Sequence, residues 1–179
     1  MNKEQFKFLE PAIGKEESRK VLMFAHFKAE NRKIVVTAAN AYLIKRVSIE
    51  TDLPDGEYFL NHDAVKQIIK LAKVSSEIQL TVDGVLVEGA TVPWTKCNFE
   101  YPDLGKLCAG PFGEQSESKI GIRCANMALV LKNAPGMDCK IDFGIESNDE
   151  KYCCEVPMRF TWTNAPDCMA ILMPVRIRW

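Results

Sequence analysis

The chain has 179 residues, 47% of them hydrophobic and 26% charged, with a formal net charge of −1. Those proportions suit a globular protein with a full core and leave no apolar run of about 18 residues for a membrane helix. A charge this close to zero excludes bulk attraction to nucleic acid, so such a role requires positive charge segregated onto one face.

The opening Met1-Asn2-Lys3-Glu4-Gln5 is polar and lacks the apolar segment of a signal peptide. Phe6-Lys7-Phe8-Leu9 alternates and reads as a short strand, followed by a charged connection over 14–20. A dense apolar run covers 21–27, and strands follow at 33–37 and 41–49 with Asn40 as the turn residue between them. Pro54 and Gly56 mark a chain reversal at 53–57.

The strongest helix lies at 62–73. Asn61 or Asp63 can cap it, and Ala64, Val65, Ile68, Ile69 and Ala72 recur at three- and four-residue spacing. Lys66, Lys70 and Lys73 fall at i, i+4 and i+7, within roughly 60° of one another on a helix. Strands at 77–82 and 85–88 flank Asp83-Gly84, a hairpin signal, and another covers 89–96. Residues 107–118 are Gly-, Pro- and Ser-rich and read as a linker. The pattern then restarts with a strand at 119–123, a helix at 125–133 and strands at 139–145, 152–156, 159–163 and 169–177. Asn164-Ala165-Pro166-Asp167 is the expected turn of the last hairpin.

Strand, helix and three strands thus occur twice, at 57–96 and 119–177, and the opening segment supplies the strands of a similar unit without a clear helix. The expected class is α+β, mostly antiparallel, with one or two helices on one face. Seven cysteines (Cys97, Cys108, Cys124, Cys139, Cys153, Cys154, Cys168) form no Cys-x-x-Cys pair, and only His26 and His62 accompany them. This favours reduced thiols used as small apolar residues in a cytoplasmic protein over disulfides or zinc, and no cofactor is expected. No nucleophile elbow, phosphate loop or His-Glu metal spacing is present, which argues against an enzyme.

Three stretches, in order, resemble bacterial DNA sliding clamps, the beta subunits of DNA polymerase III. They are Lys33-Ile34-Val35-Val36-Thr37-Ala38-Ala39-Asn40-Ala41-Tyr42-Leu43, then Cys97-Asn98-Phe99-Glu100-Tyr101-Pro102-Asp103, then Met173-Pro174-Val175-Arg176 in the final apolar strand. The resemblance implies a DNA-clamp fold of strand–helix–strand motifs, three instead of the six of a family chain. Residues 1–107 look like the family's middle domain, 108–117 a linker, and 118–179 the second half of its final domain.

It further implies a processivity or replication accessory role on duplex DNA, bound without sequence preference. Lys66, Lys70 and Lys73, with Lys119, Arg123 and Lys132 around the second helix, are the expected phosphate-facing set. Tyr42, Leu43, Pro102, Lys106, Leu107, Met173, Pro174, Val175 and Arg176 would frame the groove in which the family receives short peptides of polymerases and other replication proteins. The polar residues of the family's first two segments have changed here, which leaves the partner peptide open. The alternative is a clamp-derived interaction module without DNA encirclement. A further alternative is an unrelated α+β protein. An unmatched sheet edge points to a homo-oligomer, a two-fold dimer or a ring of several copies.

Overall fold

The computed structural model describes residues 1–74, 76–109, 112–113, 122–144 and 157–173. Its first element corrects the expectation of a strand at 6–9. The Gln5 N–H donates to Asn2 Oδ1 at 2.9 Å and the Asn2 N–H donates to Gln5 Oε1 at 3.0 Å. This reciprocal capping box starts α1 (Lys3–Leu9), which buries Phe6, Phe8 and Leu9. The opening unit therefore has its helix, and the described residues hold two more α-helices than the sequence pattern suggested, this one and a short one at Gly105–Ala109.

Strands β1 (Phe24–Glu30), β2 (Lys33–Ala39), β3 (Leu43–Glu50) and β4 (Gly56–Asn61) follow. Asn40 makes the β2–β3 turn as expected, its side-chain oxygen accepting from the N–H groups of Tyr42 and Leu43 at 2.9 Å each. Asn61, not Asp63, caps α2 (His62–Leu71) by accepting from the Ala64 N–H at 2.8 Å. A three-stranded sheet, β5 (Gln79–Thr81), β6 (Gly84–Val87) and β7 (Ala90–Pro93), comes next. Gly84 is required in its first turn, because a Cβ there would collide with the Val92 carbonyl.

The remainder comprises α3 (Gly105–Ala109), β8 (Phe112–Gly113), α4 (Cys124–Leu131), β9 (Cys139–Gly144), β10 (Met158–Trp162) and β11 (Ala165–Leu172). The last hairpin turns at 163–164, because Trp162 pairs directly with Ala165; the turn expected at 164–167 is placed two residues too late. Residues 122 and 123 precede α4 outside any strand, while 119–121 and 152–156 lie outside the described residues.

Among the described residues, one antiparallel sheet of eight strands runs β4-β1-β2-β3-β11-β10-β9-β8. The junction between β3 and β11 sets Leu43 opposite Leu172 and Val47 opposite Cys168. On the inner face, Phe27, Val36, Leu43, Phe160 and Leu172 form one core with side chains of α1, α2 and α4. All three helices therefore lie on the same side of the sheet. Phe8 meets Trp162 edge-to-face with centroids 5.2 Å apart, which ties α1 to the C-terminal strands.

The outer face carries a smaller cluster of Ala39, Ile44, Cys108 and Ile171, packed with Leu22, Leu104 and Met169. Residues 96–104 cross this face. Phe99 packs on Phe24 and Phe59 at 5.1 and 5.5 Å, and Tyr101 stacks on His26 at 4.5 Å. Among the described residues no helix is long and apolar enough to cross a membrane.

Candidate functional site

The layer of α1, α2 and α4 holds most of the expected cationic set. Lys66 and Lys70 are exposed on α2, one helical turn apart, and neither has an acidic partner within 4 Å among the described residues. Lys73 leaves the row: the helix ends at Leu71, Ala72 is extended, and Lys73 Nζ lies 3.0 Å from Glu88 Oε2. Arg123 is exposed before α4 with its guanidinium 5.8 Å from the Tyr42 ring centroid. Lys132 is exposed just after α4, 3.9 Å from Glu10 Oε2. Lys119 lies outside the described residues.

Glu10 is the hub between these helices. Its Oε1 lies 2.8 Å from His62 Nε2 at the start of α2, and its Oε2 faces Lys132. Burial opposes its ionisation, but the His62 hydrogen bond and the charges of Lys132, His62 and Lys15 outweigh that and hold its carboxyl below the usual range. Beneath the hub, Lys45 of β3 is fully buried, donates to the Lys132 carbonyl at 2.9 Å and lies 4.5 Å from the Phe8 ring centroid. Burial, reinforced by Lys132, lowers its amine from 10.5 to about 7.

Of the residues expected to frame a groove, two meet in the structure. The Met173 N–H donates to the Tyr42 carbonyl at 2.9 Å, so the end of β11 meets the β2–β3 turn. Beside it lies a cavity of about 240 Å3 lined by Pro11, Ile13, Leu22, Tyr42 and Leu129, with Lys15, Glu16 and Arg19 among its polar residues. Leu43, however, points into the inner core, Leu107 sits on α3 at 41% exposure, and Pro102 lines a different cavity on the outer face. The Lys106 side chain and Pro174, Val175 and Arg176 lie outside the described residues.

Sequence reasoning missed Lys45, His26 and Tyr101. Lys45 had a signal: it alternates in phase with Leu43 and Val47, whose side chains share the inner face. The placement of Tyr101 over His26 had none, because it depends on where an irregular segment crosses the sheet.

No family model and no curated relative matches this sequence. Solved structures do match in shape. A DNA polymerase sliding clamp from Bacillus subtilis superposes with a TM-score of 0.72 at 13% identity, over 98% of this chain and 62% of that one. The beta subunit from DNA polymerase of Streptococcus pyogenes gives 0.70 at 13% identity, over 99% and 65%. The DNA polymerase III beta subunit of Thermotoga maritima gives 0.71 at 10% identity, over 98% and 63%. The chain has the sliding-clamp fold, and it spans under two thirds of the length of these clamps.

Proposed function

We propose that this protein is a sliding-clamp-like replication accessory factor that holds duplex DNA non-specifically against its helix layer. The observation that carries this reading is the placement of α1, α2 and α4 on one side of the large sheet, with Lys66, Lys70, Arg123 and Lys132 exposed around them. Flexible amines meet phosphates without reading bases, which suits a sliding contact. The contact is non-enzymatic and uses no cofactor. Residues 1–107 make up the clamp-like domain and 118–179 the half-domain, whose described strands β9, β10 and β11 extend the same sheet.

Retention on circular duplex DNA across a salt series tests it. Binding is expected to fall by orders of magnitude between about 50 and about 200 mM salt, since phosphate contacts release counterions. Replacing Lys66 and Lys70 together with Glu is expected to weaken it at least about tenfold and flatten the salt slope. Retention unchanged by salt and by that double replacement sinks the reading.

The apolar cavity beside Tyr42 favours a second reading, an interaction module that binds a short partner peptide at the Tyr42–Met173 junction. Tyr42→Ala would then abolish capture of that peptide, and the chain would show no retention on circular DNA. The DNA-holding reading includes self-association through sheet edges, whereas the module can act through its groove alone. A strictly monomeric mass by light scattering at micromolar concentration removes autonomous ring formation and favours the module.

A further inference from the structure

Part of the outer face of the large sheet lies under a cavity of about 680 Å3, within the usual range for small-molecule sites. Its floor includes the cross-strand row His26, Thr37 and Arg46, set side by side by the β1–β2 and β2–β3 registers. Tyr101, Pro102 and Leu104 of the crossing segment also line it. The Tyr101 hydroxyl, on a residue only 6% exposed, has no hydrogen-bond partner. Neither has His26 Nε2, on a residue 9% exposed: Glu57 Oε2 is 3.5 Å away, near enough for its charge to act but without a hydrogen bond. Orphaned polar atoms buried this deeply are rare unless something meets them.

We propose that this cavity binds a small organic oxyanion, a carboxylate or a phosphate monoester on an apolar or aromatic body. Arg46 serves as its charge partner, and Tyr101 and Thr37 serve as hydrogen-bond donors. The deep groups are donors: burial holds the Tyr101 phenol well above its ordinary range and therefore protonated, and Thr37 is buried beside Arg46. Burial lowers His26, so it faces the ligand as a neutral ring with one N–H.

Arg46 is half-buried and has no carboxylate within 4 Å among the described residues. Its neighbour Cys108 is kept neutral by burial. The four carboxylates that also line the cavity, Glu30, Glu57, Glu100 and Asp103, are all exposed at its rim. Glu30 is 3.7 Å from Lys28, and Asp103 Oδ1 accepts the Gly105 N–H. Water screens such rim charges, whereas the guanidinium fork below them is matched to an oxyanion in shape and sign. Val35, Pro102, Leu104 and the His26–Tyr101 stack supply apolar walls. The site uses neither the helix-face lysines nor the Tyr42–Met173 junction, so it stands or falls apart from the proposed DNA and peptide contacts.

The test is titration of the nitrogen-15-labelled full chain with benzoate, phenyl phosphate and benzamidine, one ring bearing three head groups. Saturable shifts of the Thr37, Arg46 and Tyr101 amides are expected with benzoate or phenyl phosphate in the range of about 1–10 mM. The tighter of the two identifies the head group. Arg46→Gln is expected to weaken binding about tenfold and Tyr101→Phe, which keeps the ring stack, about threefold. Benzamidine saturating at the same concentration overturns the proposal. So does no saturation by either anion up to about 50 mM, or unchanged affinity in both variants.

Discussion

The two faces of the eight-stranded sheet obey different rules. The inner face packs Phe27, Val36, Phe160 and Leu172 against three helices, and its buried charge among the described residues, Lys45, is hydrogen-bonded and set beside an aromatic ring. The outer face is only partly covered, by an irregular segment and a five-residue helix, and it leaves buried atoms of His26, Ser48 and Tyr101 without a hydrogen bond, against Asn126 Nδ2 alone among the described residues of the helix layer. The inner face thus specifies the clamp fold at 10–13% identity to the known clamps, while the outer face carries polar groups that packing alone does not require.

The contrast is tested most severely at Phe160, fully buried at the centre of the inner face. Phe160→Ala is expected to cost about 3–5 kcal/mol in urea unfolding, from lost transfer energy plus the cavity left behind. A loss of under about 1 kcal/mol would mean that the inner face is not the determinant.

Lys45→Met is expected to act in the opposite direction, stabilising by about 1–3 kcal/mol at pH 7 by replacing a desolvated amine with an apolar chain. The folded-state pKa of about 7 lies below the ordinary 10.5. Between those values the unfolded chain binds more protons than the folded one, so wild-type stability rises with pH from about 7 and levels off near 10.5. Unfolding at pH 7 and 9.5 checks this, and the variant should lack the rise.

Asn61→Ala removes the α2 cap and is expected to cost about 1 kcal/mol. Smallest is Tyr101→Phe, which deletes the orphaned hydroxyl and keeps the stack on His26. Without ligand it is expected to be neutral or stabilising by up to about 1 kcal/mol. Clear destabilisation would show that the hydroxyl has a partner in solution.

What the sequence made legible follows the same division. Helix α2 was readable because Val65, Ile68 and Ala72 keep helical spacing behind an Asn cap, and strands β2, β3, β5 and β6 were readable from their apolar pattern and turn signals. Helix α1 was misread because Phe6 and Phe8 alternate over four residues, too few to separate a strand from a helix, and the Asn2–Gln5 capping box outweighed that pattern. Lys73 was assigned to the lysine row by extending the helix one residue past Ala72, where the backbone turns extended. Of the groove, only the meeting of Tyr42 with Met173 was readable. The separation of Pro102 into the outer cavity depends on how 96–104 crosses the sheet, which no local spacing encodes.

The β3–β11 junction bears on the lifetime of the native state. Strands β1 to β4 pair with near neighbours in the chain, but Leu43 meets Leu172 only after the intervening chain has folded back. Loop-closure entropy makes that closure a late event in folding, and contacts formed after the transition state govern unfolding rather than refolding. Substitutions along β11 should therefore leave the refolding rate nearly unchanged and shorten the half-life of the folded molecule. On that expectation the junction bears on how long this protein persists, more than on how quickly it forms.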